Sequence, residues 1–135
     1  MRFFRRQALA LACAVPALLA APALAQMSVT NFIKKWDTNH DGTLDKSEID
    51  RAADAQFDKL DTDHDGTLEL KELGNRVTKA EFDAVNPDHD STLDKAEYHA
   101  LVQKRFEAAD ADKDGTLDQK ELASKAGRRL LQLLE

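Results

Sequence analysis

The chain has 135 residues, a formal charge of −6, 33% charged and 42% hydrophobic residues, and a mean hydropathy of −0.54. That length holds one domain or two very small ones, and six Phe, one Trp and one Tyr leave little aromatic mass for a core. The acidic balance argues against nucleic acid and anionic membrane surfaces as partners, both of which select for Lys/Arg excess, and it favours cations.

The first 25 residues differ from the rest. They hold no acid, three arginines (Arg2, Arg5, Arg6), an apolar run from Gln7 to Ala21, and the small-residue triplet Ala23-Leu24-Ala25. This basic, apolar, A-x-A order predicts a secretory signal peptide over residues 1–25, cleaved after Ala25. The run is shorter than the ~20 residues a spanning helix needs, and Pro16 and Pro22 interrupt it. Cys13 lies inside it. The expected mature domain, residues 26–135, is therefore periplasmic or secreted, cysteine-free, off the membrane, and carries a formal charge of −9.

Phe32, Ile33 and Trp36 predict a two-turn helix, which leads into an acidic segment, Asp37–Glu48 (DTNHDGTLDKSE). Ile49–Leu60 follows as one helix, with Ile49, Ala52, Ala53, Phe57 and Leu60 on a single face. The acidic segment then recurs as Asp61–Glu72 (DTDHDGTLELKE). Leu73-Gly74-Asn75 is a poor helix interior, and Thr78-Lys79-Ala80-Glu81 is a capping box that starts a new helix. The third copy is Asn86–Glu97 (NPDHDSTLDKAE). Tyr98–Ala109 reads as a second continuous helix, with Tyr98, Leu101, Val102, Phe106 and Ala109 aligned. The fourth copy, Asp110–Glu121 (DADKDGTLDQKE), precedes a closing helix over Leu122–Leu134, expected to bend near Gly127.

The four copies align without gaps, and their starts are 24, 25 and 24 residues apart. Each has Asp or Asn at positions 1, 3 and 5, Thr-Leu at 7 and 8, an acid at 9 and Glu at 12. The repeat resembles the twelve-residue EF-hand calcium loop, D-x-[DN]-x-[DN]-G-x5-E. A hard cation takes six to eight oxygens at about 2.3–2.6 Å. Alternate residues 1, 3 and 5 supply side-chain oxygens, position 6 turns sharply, position 7 offers its carbonyl, position 9 binds directly or through water, and the Glu at 12 closes the sphere.

The candidate ligands are thus Asp37, Asn39, Asp41, Thr43, Asp45 and Glu48 in loop 1 and Asp61, Asp63, Asp65, Thr67, Glu69 and Glu72 in loop 2. Loop 3 offers Asn86, Asp88, Asp90, Thr92, Asp94 and Glu97, and loop 4 offers Asp110, Asp112, Asp114, Thr116, Asp118 and Glu121. Loops 2 and 4 carry five carboxylates each and loops 1 and 3 four. Loop 3 also puts Ser91 where Gly belongs, so it is expected to be the weakest site. His40, His64 and His89 share position 4 with Lys113, which is expected to face solvent.

Only 12 or 13 residues separate successive loops. The helix leaving one loop must therefore be the helix entering the next, with the chain turning between loops 2 and 3. Loops 1 and 4 would then share one end of the molecule and loops 2 and 3 the other, with Leu44, Leu68, Leu93 and Leu117 meeting in β contacts. The expected fold is all-α: a compact four-EF-hand bundle with short shared helices and small β contacts between paired loops.

The segments AQFDKLDTDHDGTLELKELGNRV, STLDKAEY and DGTLDQKELASKAG, with the compact loop spacing, resemble the lanmodulin family of small periplasmic EF-hand proteins. The resemblance covers about residues 30–135. It implies a compact helical fold, binding of trivalent lanthanide ions in preference to Ca2+, and metal-driven ordering. The family carries proline at loop position 2, tied to its weak calcium response. Here only Pro87 stands there, with Thr38, Thr62 and Ala111 in the other loops, so a Ca2+ response is expected beside lanthanide binding.

Two functions compete: a carrier, buffer or scavenger of up to four Ca2+ or lanthanide ions, and a calmodulin-like sensor acting on a periplasmic partner. Sensor EF-hands expose Met-rich grooves, and residues 26–135 contain only Met27. No nucleophile–base pair or phosphate loop is readable, so no enzyme is expected. The protein is expected to be a monomer; no protein partner is readable.

Overall fold

The structure, a computed structural model, describes residues 20–135, with side chains from Ser28 onward. The expected signal peptide lies outside the described residues except for 20–25, and Cys13 lies outside them altogether. Helix α1 (Ala20–Trp36) is longer than the two turns expected before loop 1. Its alanine-rich start favours helix, and Pro22 stands in the first turn, where backbone N–H groups have no intrahelical partner anyway. From Ser28 onward, Val29, Phe32 and Ile33 are its buried residues.

The remaining elements are β1 (Leu44–Asp45), α2 (Lys46–Leu60), β2 (Thr67–Glu69), α3 (Leu70–Leu73), a 3-10 turn (Gly74–Arg76), α4 (Lys79–Ala84), β3 (Thr92–Asp94), α5 (Lys95–Ala109), β4 (Thr116–Leu117), α6 (Gln119–Ala123) and α7 (Lys125–Leu134). As the linker lengths predict, α2 and α5 each run unbroken from one loop into the next. Each spans about 22 Å at 1.5 Å per residue, which puts consecutive loops at opposite ends of a helix.

These two helices lie antiparallel. Phe57 meets Tyr98 edge-on with ring centroids 5.7 Å apart. Nearby, His99 sits between Asp54 (2.9 Å) and Asp50 (3.4 Å), Lys95 reaches Asp54 at 3.2 Å, and Gln103 donates to Asp50 at 3.0 Å. Antiparallel packing brings loop 1 to loop 4 and loop 2 to loop 3. The β pairs follow: β1 with β4, Leu44 opposite Leu117, and β2 with β3, Leu68 opposite Leu93, both antiparallel. All four leucines are fully buried, and burial of such a side chain stabilises by about 1.5–3 kcal/mol.

The turn between loops 2 and 3 forms where the sequence places it. Gly74 adopts φ +57°, which suits a residue without Cβ. Thr78 caps α4, its hydroxyl accepting from the Glu81 N–H while Glu81 accepts from the Thr78 N–H at 3.0 Å. Glu81 also meets the buried Arg105 at 3.3 Å and Arg129 at 2.8 Å. Arg105 further donates to the Arg76 carbonyl at 2.7 Å and to that of Arg129, fastening α4, α5 and α7 together.

One expectation is corrected. The segment 122–134 is not a single helix bent at Gly127: it breaks at Ser124, where α6 ends and α7 begins. Ser124 is extended and its hydroxyl accepts the Gly127 N–H at 3.1 Å, a new N-cap. Gly127 serves close approach: a Cβ there would strike the Glu121 carbonyl and the backbone of Leu122. α7 then lays Leu130, Leu131, Leu133 and Leu134 into the core. No described helix is long and apolar enough to cross a membrane.

Candidate metal centres

In loop 1 the Asp37 carboxylate, 8% exposed, accepts the Asp41 N–H at 3.2 Å on Oδ1 and the Gly42 N–H at 2.9 Å on Oδ2. Asp61 does the same for Asp65 and Gly66, and Asp110 for Asp114 and Gly115. Position 6 is left-handed in all four loops, with φ near +82° at Gly42, Gly66 and Gly115 and +70° at Ser91. The position-3 side chain accepts from the position-5 N–H: Asn39, Asp63, Asp88 and Asp112 at 3.0–3.3 Å. The first five residues are thus wound around their own side-chain oxygens.

At the other end of each loop a capping box starts the outgoing helix. Asp45 accepts the Glu48 N–H at 2.9 Å while Glu48 Oε2 accepts the Asp45 N–H at 3.1 Å. Asp94 with Glu97 and Asp118 with Glu121 repeat it. In loop 2, Glu72 accepts the Glu69 N–H at 2.9 Å, and the Glu69 carboxylate pairs with Lys71 at 2.9 Å. The acids at positions 9 and 12 therefore have a structural duty beyond any metal.

Two roles were not read from the sequence. The position-7 threonine is more than a carbonyl donor: its N–H and hydroxyl both bond the position-5 aspartate, as at Thr116 with Asp114 (2.8 and 2.9 Å). Thr43, Thr67 and Thr92 do likewise. The signal was there, since threonine fills that position four times. Position 4 is also left-handed, with φ between +53° and +59° at His40, His64, His89 and Lys113; histidine, which enters that region more readily than most residues, fills three of the four.

The position-7 bonds hold Asp41, Asp65, Asp90 and Asp114 below the ordinary carboxylate range and keep them ionised. The Glu48 N–H lowers Asp45 in the same way, whereas Asp63, Asp112 and Glu97 move upward. Desolvation, with Asp61 and Asp65 close by, raises Asp63. At Asp112 the bond from the Asp114 N–H pulls downward, but desolvation and the charges of Asp114 and Glu121 prevail. Glu97 is raised by desolvation, against the Asp94 N–H, and by Asp88, Asp94 and Asp90. At these three positions desolvation and neighbouring carboxylates disfavour the charged form, a cost that a bound cation would offset.

The loops differ in how far the oxygens converge. In loop 4, Asp110, Asp112, Asp114 and Glu121 each place an oxygen within 4.8 Å of the others, and in loop 2 Asp61, Asp63 and Asp65 do so. In loop 1, Asp37, Asn39, Asp41 and Glu48 keep the same bonding pattern with one carboxylate fewer. Loop 3 departs most. Asn86 is 2% exposed, its Oδ1 is buried without a partner, and none of the anchoring bonds of the other position-1 residues forms.

Acidic loops between helices, joined in pairs by short antiparallel strands, define a helix–loop–helix protein of the metal-binding type. The EF hand family model matches residues 32–51, 53–78 and 101–124, which contain loops 1, 2 and 4. The chain belongs to the EF-hand family and binds calcium or other metal ions through these loops. Loop 3 lies outside the matched segments. No curated protein matches the chain.

Proposed function

We propose that the protein is an exported carrier, buffer or scavenger of metal ions that takes Ca2+ and trivalent lanthanide ions into up to four loops and completes its fold around them. The observation that carries this reading is the convergence of Asp110, Asp112, Asp114 and Glu121 in loop 4. Each of these acids also holds backbone groups of its own loop, and together they present the converging oxygens that a hard cation takes. Loop 3 acts as the fourth site: its β3 strand is tied to loop 2, and the unpartnered Asn86 Oδ1 supports a ligand there.

The resemblance to the lanmodulin family supports the lanthanide side of the proposal. Thr38, Thr62 and Ala111 in place of proline support a Ca2+ response as well. Export rests on residues 1–25. The carrier reading is preferred to a sensor because the large apolar side chains are buried and residues 26–135 hold one methionine. The protein acts as a monomer without catalysis of its own, its acids being committed as ligands.

Trp36 immediately precedes Asp37 and so reports on loop 1. Excited through Trp36, Tb3+ should emit as loop 1 fills, and Ca2+ should compete at about 10⁻⁷–10⁻⁵ M. Tb3+ emission that survives millimolar Ca2+ means selective lanthanide binding. An absence of sensitised emission at any Tb3+ concentration overturns the reading for that loop.

A further inference from the structure

Three alanines on three helices face a common gap: Ala84 at the end of α4, Ala108 on α5 and Ala126 on α7. The gap is a cleft of about 400 Å3 floored by Leu101, itself 2% exposed. On α5, Leu101, Lys104, Arg105 and Ala108 follow the i, i+3, i+4, i+7 spacing that puts them on one stripe. The walls are apolar and the rim is not.

Lys104, Lys125 and Arg129 stand around the opening with the buried Arg105 in its wall, against a single lining carboxylate, Glu81. Glu81 is already committed to Arg105, Arg129 and Thr78. Lys104 and Lys125 are exposed and have no acidic partner among the described residues. The Arg105 Nε is buried at the cleft wall without a hydrogen-bond partner. On a chain of net charge −6, this is a local excess of positive charge over an apolar hollow. Such charge repels metal ions and attracts anions. The volume falls at the lower end of small-molecule sites, about 300–1,000 Å3, which combine apolar walls with a few polar groups.

We propose that this cleft binds a small amphipathic organic anion, its compact apolar body over Leu101 and the alanines and its carboxylate or sulfonate among Lys104, Lys125 and Arg129. The site lies apart from the loops and does not depend on which ion they hold. It is coupled to them mechanically: α5 runs directly into loop 4 at Asp110, and α7 packs on α6, which carries Glu121. An anion that bridges α4, α5 and α7 therefore strengthens metal retention in loop 4, and metal strengthens anion binding by the same factor.

The test titrates the metal-loaded full chain with 1-anilinonaphthalene-8-sulfonate, following dye fluorescence and calorimetry, with 1-naphthoate as competitor. One saturable site per chain is expected. The double substitution Lys104→Glu/Lys125→Glu should weaken it by about tenfold or more, and Ala108→Trp, at an exposed position, should abolish it by filling the hollow. Neutral 1-naphthalenemethanol should compete at least about tenfold less well than 1-naphthoate. Circular dichroism and metal titration of both variants should match the parent chain, which separates loss of the site from loss of the fold. Dye bound only by metal-free protein, several weak sites, or binding indifferent to both sets of substitutions overturns the proposal.

Discussion

The backbone N–H of Thr38 donates to Glu48 Oε1 at 2.8 Å and ties the second residue of loop 1 to its twelfth. Ala111 makes the same bond to Glu121 at 3.0 Å and Thr62 to Glu72 at 3.3 Å. Pro87 has no N–H to give, and the Glu97 carboxylate accepts only the Asp94 N–H. Ala111→Pro removes this charge-assisted bond while leaving the acids in place, and such a bond contributes about 1.5–3 kcal/mol. Calorimetry should find Ca2+ affinity at loop 4 lowered about tenfold or more, and Pro87→Ala should strengthen loop 3. Unchanged affinity in Ala111→Pro means that the position-2 amide does not organise the closing glutamate.

The loops should fill in the order of their oxygen convergence, loops 2 and 4 first and loop 3 last. Glu→Gln at position 12 removes a charge and half of the carboxylate, so Glu72→Gln and Glu121→Gln should each delete a tight site from the titration. Glu97→Gln should delete the weakest. A larger affinity loss from Glu97→Gln than from either of the others reverses the ranking.

Ser91 holds φ +70°, a region that costs a residue with a Cβ about 1 kcal/mol relative to glycine. Ser91→Gly should raise loop 3 affinity by roughly fivefold, since about 1 kcal/mol of strain disappears from the bound conformation. Asn86→Asp in the same loop supplies the second oxygen with which Asp37, Asp61 and Asp110 anchor two backbone amides. The double variant should bind more tightly than either single one. A loop 3 affinity unmoved by both changes places its weakness elsewhere.

Gly127 is where α7 crosses α6. The atoms a Cβ would meet are backbone, the Glu121 carbonyl and Leu122, so no side chain can rotate away. Gly127→Ala should destabilise the metal-loaded protein by about 1–3 kcal/mol, the usual range for overpacking, seen as a lower midpoint in thermal unfolding. It should also weaken loop 4, because Glu121 lies on the displaced helix. An unchanged melt indicates that α7 can swing out freely.

The parts legible in the sequence were those set by local chemistry and by counting. The 12-residue linkers forced shared helices, and the shared helices forced Leu44 against Leu117 and Leu68 against Leu93. Thr78 and Glu81 announced the start of α4. The misread element was the closing one. Gly127 suggested a bend, but Ser124 supplies the cap that ends one helix and starts the next, while the glycine serves contact between helices. Burial of Arg105 could not be read at all: its partners are the carbonyls of Arg76 and Arg129 and the Glu81 carboxylate, which only the tertiary fold brings together. The position-7 threonines were noticed but given only a carbonyl role, because the ligand pattern does not require their hydroxyls.

Under the proposed function, metal completes the fold. Four loops hold 18 carboxylates, three of them pushed upward in pKa by desolvation and by neighbouring acids, and a small cysteine-free core opposes their repulsion. Binding to the folded form adds its free energy directly to stability. Circular dichroism of chelator-stripped protein, titrated in parallel with Ca2+ and La3+, should start with low helical signal and rise steeply with each ion, with a cooperative melt appearing only after loading. Metal-free protein that is already fully helical, melts cooperatively and responds to neither ion would contradict it.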